Sequence, residues 1–578
     1  MKKNRKNFYQ LFTTLLVICM TILAISPATA LAEESETGSL CTHIHDEACG
    51  YAAASDGIAC DMGCMETEEG QIVHEPDCAY REAAEEAACS HVHDDTCGFM
   101  GTTQPNAEAD SFALITPLDG GLQTMLDISK GEITVSDTSV SGFESDGTPA
   151  STANTDGYII MQSDPSPTAN KITVTGGTVD LTLQDVNITS TGAPVTVNAG
   201  AALRLTVRGD NTLAGAGAYA GIAVEKSAQL TVSGAGNLTA TGGNASSGKG
   251  GGAGIGGNGQ GFGGNQSEGV DFGSITVSPA FTGSISATGG DCRNTYGAGA
   301  GIGSGGMYTA GGANDWTEVY GSISIEGGTI EAKGGEDCAA GIGSGGAEGS
   351  SYVTSKIVVN ISGGNVTATG GEYGAGIDSG NIVTDGEVNI SSGTVKAYGG
   401  EYGAGIGGGS SSDMGPITIS GGSITAKGGI SSDSMGAAGI GGGDNAAVQS
   451  VTITGGTVNA YGGNGAAGIG GGSNTSYSIF FMGDTDGEVR YAAPIAISGA
   501  GTVVNAYGGT GTGASGIYGG AGIGSGYPTA NDARSVAFAV SITDGATVNT
   551  HGGYRSQAIG YGVRDFGCRS RALGCVEQ

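Results

Sequence analysis

A glycine-rich motif with one central isoleucine recurs through most of the chain and restricts its fold more than any other feature. It reads GAGIGGG at residues 403–409, AGIGSGG at 300–306 and AAGIGGG at 437–443. The central isoleucines are Ile222, Ile255, Ile302, Ile342, Ile377, Ile406, Ile440, Ile469, Ile523 and Ile559. The intervals between them vary, which is typical of a solenoid, because each coil must stack on the next while its loops can grow.

Between two copies of the motif, short runs alternate apolar and polar residues. In residues 403–429 the apolar face comprises Ala404, Ile406, Ile417, Ile419, Ile424 and Ala426. The equivalent residues of other units are Ile323, Ile325, Ile330 and Ala332, then Val388, Ile390, Val395 and Ala397, and then Val451, Ile453, Val458 and Ala460. Three short strands per unit, each paired with its copies in neighbouring units, predict an all-β parallel β-helix over residues 125–560. The usual hand of parallel connections favours a right-handed helix.

Glycine has a structural role in this interpretation. Double glycines beginning at residues 421 and 428 separate the runs, where they allow positive φ angles and tight corners without Cβ clashes. The 115 glycines have no GXY register, which excludes collagen. A nucleotide-binding loop is excluded as well, because GAGIGGG precedes loops and strands rather than a helix.

The N-terminal residues predict export. Four basic residues precede an apolar stretch from Leu11 to Ile25, and Ala28 and Ala30 supply a small-residue cleavage site, so residues 1–30 form a signal peptide. The formal net charge of −34 makes nucleic acid and anionic lipid poor partners, and no later apolar run is long enough to span a bilayer. We expect a Cys/His-rich segment at 31–99, a linker at 100–124, and a tail at 561–578 that lacks a cap and ends as though truncated.

The motif CxHxHDxxCG occurs at residues 41–50 and 89–98, and a degenerate copy lies between them. The candidate metal ligands are Cys41, His43, His45, Cys49, Cys60, Cys64, His74, Cys78, Cys89, His91, His93 and Cys97. Twelve such ligands suit three tetrahedral zinc ions. Disulfides are the alternative in an exported protein. Either cross-link would hold together a segment with too few apolar residues to fold alone.

Elemental analysis of protein purified without a metal-affinity step is expected to find zinc in this segment. The physical reason is that an odd number of cysteines cannot pair fully, whereas cysteine and histidine together complete tetrahedral sites. An intact mass that shows three disulfides and no metal would instead support the disulfide alternative.

A separate cysteine pair lies in the solenoid repeats. Cys292 and Cys338 follow double glycines in GGDC and GGEDC of adjacent units. Stacked coils would bring their Cα atoms near disulfide distance, so we expect a bond between them.

Aromatic residues recur at one position of successive units. The residue before the double glycine is Tyr398, Lys427, Tyr461, Tyr507 and His551 in turn. Sugar rings stack on exposed aromatic faces, which makes Tyr398, Tyr461 and Tyr507 candidate glycan-binding residues. The alternative is that tyrosine only covers a β surface.

The longest insertions follow the isoleucine motif and contain further candidate binding residues. Aromatic candidates for glycan binding there are Tyr308, Trp316, Phe480 and Phe481. Asp484, Asp486 and Glu488 of the DTDGE run are candidate calcium ligands, with a polar turn as the alternative.

The recurrence of [IV]T[IV]xGG, TAxGG and GAGIGGG from about residue 172 to 560 resembles the secreted right-handed β-helix proteins of Gram-positive bacteria. That group includes calcium-dependent polysaccharide-binding domains. The segments CTHIHDEACGY and CSHVHDDTCGF resemble a repeat of surface proteins of such bacteria. The resemblance therefore implies a secreted or cell-surface protein, with calcium as a candidate cofactor. Zinc is a candidate on the separate ground of the Cys/His ligand count.

We expect a non-catalytic, adhesin-like protein that binds a polysaccharide or host glycan. An acidic chain would bind a neutral glycan directly and an anionic glycan through a bridging divalent cation. A passive stalk or matrix protein is the first alternative. A polysaccharide lyase or hydrolase is the second, but the chain's sparse basic residues and turn-located acids do not form a visible acid–base constellation.

Overall fold

The structure is a computed structural model and describes most of the chain beyond residue 122. The described residues are 65–66, 72–73, 123–244, 249–259, 270–291, 297–309, 317–349, 353–431, 435–446, 448–473, 492–513, 516–527, 538–560 and 562–565. The chain divides into two compact units, Met1–Leu114 and Ile115–Gln578. In the first unit, Met65–Glu66 and Ile72–Val73 pair as antiparallel strands. The signal peptide and the twelve candidate zinc ligands lie outside the described residues.

The second unit is a parallel β-helix, which confirms the predicted all-β solenoid. Three long sheets, of 14, 14 and 11 strands, run along it, and we name them sheets I, II and III. A typical coil contributes one strand to each sheet. A 3₁₀ helix at Ile128–Lys130 lies near the start. None of the helices that the structure describes is both long and apolar enough to cross a membrane.

Sheet I contains the isoleucine motif. Its strands are Ile133–Ser136, Val140–Ser141, Ile172–Gly176, Val195–Val197, Ile222–Val224, Ile255–Gly256, Ile302–Gly303, Ile342–Gly343, Ile377–Asp378, Ile406–Gly407, Ile440–Gly441, Ile469–Gly470, Ile523–Gly524 and Ile559–Gly560. All pair in parallel except Val140–Ser141 at the edge. The ten motif isoleucines pair in register from coil to coil.

Sheets II and III hold the alternating runs. Sheet II comprises Thr124–Asp127, Tyr158–Met161, Thr178–Gln184, Ala202–Arg208, Gln229–Gly234, Ser274–Phe281, Thr317–Ile325, Val353–Ile361, Val383–Thr384, Glu387–Ile390, Met414–Ile419, Val448–Ile453, Ala492–Ile497 and Phe538–Ile542. Sheet III comprises Asn187–Thr189, Asp210–Ala214, Asn237–Thr241, Ser284–Thr288, Thr329–Lys333, Asn365–Thr369, Thr394–Tyr398, Ser423–Lys427, Thr457–Tyr461, Val503–Tyr507 and Thr547–His551.

In the described part of the second unit, two small sheets lie outside these three. Met307–Thr309 pairs in parallel with Ala347–Gly349. Thr510–Gly513, Gly516–Gly519 and Val563–Asp565 form an antiparallel three-stranded sheet.

The core fills the interior of the coils with the residues that the alternation predicts. Ile406, Ile417, Ile419, Ile424 and Ala426 of one unit are each fully buried. The inward residues of the other three units read from the sequence are buried as well. Because the side chains of a strand alternate between its faces, the intervening residues of sheets II and III point outward.

Two kinds of glycine make the narrow coils possible. Gly407, which follows the motif isoleucine, has a φ of +128°, and a Cβ there would overlap the carbonyl oxygen of Gly441 in the next coil. Residue 428 lies at the corner after sheet III, and glycine is required there only because the backbone of another residue comes close. A Cβ at Gly428 would overlap the carbonyl oxygen of Ala437. The predicted positive φ angles and close approaches both occur: Gly407 combines the two, whereas Gly428 provides only the close approach.

Candidate functional site

The outward face of sheet III brings the recurring aromatic residues together. Each five-residue strand presents its first, third and fifth residues outward, and we call the fifth-position series the outer column. In register along this column lie Tyr398, Lys427, Tyr461, Tyr507 and His551. Strand pairing thus turns a repeated sequence position into a continuous row.

The rings of the outer column stack on one another. The ring centroids of Tyr461 and Tyr507 are 5.1 Å apart at an interplanar angle of 8°, and those of Tyr507 and His551 are 5.3 Å apart at 11°. The Lys427 Nζ lies 5.8 Å from the Tyr398 centroid and 5.7 Å from the Tyr461 centroid. Both faces of Tyr507 are therefore covered, so its edge and hydroxyl are open to a ligand rather than the face that the sequence suggested.

A second column, from the third residue of each strand, runs beside the rings. Asn459, Asn505 and Asn549 pair in register there. The Asn505 Nδ2 donates to the Asn459 Oδ1 at 2.8 Å, and the Asn549 Nδ2 donates to the Asn505 Oδ1 at 2.9 Å. This amide ladder fixes the side chains and leaves further donor and acceptor capacity for a ligand, because each amide has two N–H groups and two lone pairs.

The corner beyond the outer column carries a second aromatic pair that the sequence reasoning missed. Tyr373 and Tyr402 stack with centroids 4.8 Å apart and an interplanar angle of 4°. Burial, reinforced by the neighbouring Glu372, raises the pKa of Tyr373 to about 12, so its hydroxyl keeps its proton. The signal was present in the sequence as the repeated EYGAGI.

A further cluster joins three consecutive coils, and the sequence reasoning missed it too. The Lys226 Nζ lies 2.7 Å from the Oδ2 of the buried Asp271, whose Oδ1 accepts from the Tyr320 backbone N–H at 2.9 Å. The Tyr320 hydroxyl donates to the Glu318 carboxylate, and this bond raises the pKa of Tyr320. Tyr320 is thereby suited to donating a hydrogen bond and unsuited to acting as a base.

Asp378 is an exception within sheet I. It occupies the position that is glycine in the neighbouring coils, at Gly343 and Gly407, and it has a φ of +112°. Its side chain is fully buried, and neither carboxylate oxygen has a hydrogen-bond partner within the described part of the chain. Burial, with added repulsion from Glu387 and Asp385, raises the pKa of Asp378 well above its ordinary value. The carboxyl is therefore held in its neutral form.

Several predicted site residues lie outside the described residues. They are Cys292, Trp316, Phe480, Phe481, Asp484, Asp486 and Glu488. Tyr308 belongs to the short strand Met307–Thr309.

Cys338 is buried and has no disulfide partner among the residues that the structure describes, and its Sγ accepts from the Ala298 N–H at 3.1 Å. Its bond to Cys292 stays a prediction. Within the described ranges, no three His, Cys, Asp or Glu side chains form a group suited to a metal ion.

Comparison with known proteins supports the fold. The family model described as Beta helix repeat matches residues 323–346, 359–381, 388–410, 417–444 and 451–473. Each matched segment contains the end of a sheet II strand, a whole sheet III strand and a sheet I strand, which is one coil. No curated protein and no solved structure matches the chain. The chain is therefore a parallel β-helix protein, and five of its coils match the beta helix repeat.

Proposed function

We propose that the protein is exported and binds a polysaccharide or host glycan, without cleaving it, through the outward face of sheet III between Tyr398 and His551. The observation that supports this proposal is the outer column of rings beside a ladder of asparagine amides. Tyr461 is 37% exposed although it stacks on its neighbour. Apolar ring edges next to amides and hydroxyls suit a sugar, which has both C–H and O–H groups.

The repetition of this face favours a polymer over a single sugar. Neighbouring coils present equivalent groups about 4.8 Å apart, so a glycan chain lying along the outer column meets the same contacts several times. Contacts made one after another within one complex are effectively intramolecular, and weak single contacts then add up to useful avidity.

The triple variant Tyr398, Tyr461 and Tyr507→Ala is expected to bind insoluble and soluble polysaccharides at least about tenfold more weakly than the wild type, because three ring and hydroxyl contacts are lost. Affinity pull-down measures the difference. The corresponding triple Phe variant keeps the stacked rings and removes only the hydroxyl groups. Tyr219→Ala is the matched control, because Tyr219 is 40% exposed and lies outside the outer column.

Equal retention of the triple Ala variant and the wild type would contradict the proposal and support the passive stalk. A reducing-end assay run on the same samples tests the enzyme alternative. Release of new reducing ends would show cleavage, and the cluster of Lys226, Asp271, Glu318 and Tyr320 would then be the first place to substitute.

A further inference from the structure

The face that carries the outer column has a charge unlike that of the whole chain. The chain contains 56 Asp and Glu residues against 22 Lys and Arg residues. Yet the six consecutive sheet III strands from Asn365–Thr369 to Thr547–His551 read NVTAT, TVKAY, SITAK, TVNAY, VVNAY and TVNTH, with no acidic residue. Lys396 and Lys427 are the charged side chains of these strands, and His551 at the end of the series is their one further titratable cation.

Lys396 and Lys427 are neighbours on this face. Lys396 pairs in register with Thr425, two residues before Lys427, so the two lysines lie diagonally across adjacent strands. Neither makes an ion pair within the described part of the chain, whereas Lys130, Lys171, Arg204 and Lys226 do. Like charges next to each other on a sheet are unfavourable unless an anion lies between them.

The surrounding residues leave this pair accessible to an anion. At the corner after the double glycine, the coil of Lys396 has Glu401 and the coil before it has Glu372, whereas the coil of Lys427 and the next coil have Ile430 and Asn464 there. More distant carboxylates are screened, because the Debye length at physiological ionic strength is about 8 Å. The local charge of the face therefore matters more to a bound ligand than the net charge of the chain.

We infer that the glycan bound at this face is anionic, and that Lys396 and Lys427 pair with its carboxylate or sulfate groups without a bridging divalent cation. This inference rests on the proposed function and names the ligand class of the same site. It replaces the expectation, drawn from net charge alone, that an anionic glycan needs a bridging cation. The tyrosine rings on either side of Lys427 hold its ammonium group in the outer column.

The test compares binding of polygalacturonate, dextran sulfate and neutral dextran with and without a chelator. The wild type is expected to bind at least one charged polymer more tightly than dextran, and to release it as salt is raised. The two charged polymers distinguish carboxylate from sulfate recognition. The double variant Lys396→Gln/Lys427→Gln is expected to bind the charged polymer roughly tenfold more weakly. Lys356→Gln is the matched control, because Lys356 is an exposed lysine of sheet II.

Unchanged binding by the double variant would overturn the inference, as would binding that the chelator abolishes. Retention of neutral dextran alone would overturn the inference and leave the proposed function standing. If the wild type retains no polymer, charged or neutral, either with or without the chelator, both fail. Both lysines are exposed, so the wild type and the double variant are expected to give the same denaturation curve. Matching curves will show that the double variant binds more weakly although it is folded.

Discussion

The variant Ile406→Asp is expected to lose about 4 kcal/mol or more of folding free energy, because it places a carboxyl group without a partner inside a narrow apolar core. Ile406 is fully buried and pairs in register with Ile377 and Ile440 of the adjacent coils. Chemical denaturation followed by far-ultraviolet circular dichroism measures the loss as a lower midpoint.

Ile559→Asp is the matched control for this variant. Ile559 ends the same isoleucine ladder but is 41% exposed, so its replacement should cost about 1 kcal/mol or less. Equal denaturation curves for the wild type and Ile406→Asp would contradict the inward stacking of the motif isoleucines.

The opposite effect is expected at Asp378. Asp378→Gly should stabilise the protein by about 3 kcal/mol, because it removes an unpartnered buried carboxyl and relieves a positive φ at a non-glycine residue. The variant restores the residue found at Gly343 and Gly407 in the neighbouring coils. Hydrogen exchange of the amides around residue 378 and the denaturation midpoint both report the gain.

The stabilisation of Asp378→Gly relative to the wild type should grow as pH rises. An unfolded aspartate titrates at about pH 3.9, whereas the pKa of folded Asp378 is raised by burial, so the folded wild type holds a proton that the unfolded chain releases. The folding stability of the wild type therefore falls progressively as pH rises above about 4 toward the pKa of Asp378 in the folded protein. Asp544→Gly is the control, since Asp544 also has a positive φ, of 55°, but is exposed. A wild type as stable as Asp378→Gly at neutral pH would show that the carboxyl is not buried without a partner.

The fold was predictable because its information is local and repeated. Alternating residues such as Ile417, Thr418 and Ile419 specify a strand and its inward face, and the motif around Ile406 marks each return to sheet I. Stacking then follows, since strands this short are stable only when each pairs with its copies above and below. The different roles of Gly407 and Gly428 were not predictable, because they depend on backbone angles that both residues allow.

The candidate site was predictable only in part, for two physical reasons. The sequence places Tyr461 and Tyr507 in one column, but side-chain rotation decides whether their faces point to solvent or to each other. The cluster around Asp271 joins residues from different coils across an insertion, and no periodic pattern links Lys226 to Tyr320. Asp378 was visible as an aspartate in a glycine position, yet only packing shows that its oxygens have no partner.

The register of the ladders has a consequence for how such a protein can change in evolution. Tyr398 and Lys427 occupy equivalent places in adjacent coils, as do Ile377 and Ile406. Loss of residues 399–427 would remove one complete turn, bring Tyr398 opposite Tyr461 and Ile377 opposite Ile440, and leave every remaining strand with an equivalent partner. The length of this fold therefore changes in whole coils, and recombination between repeats can shorten or extend the proposed binding face by one coil at a time.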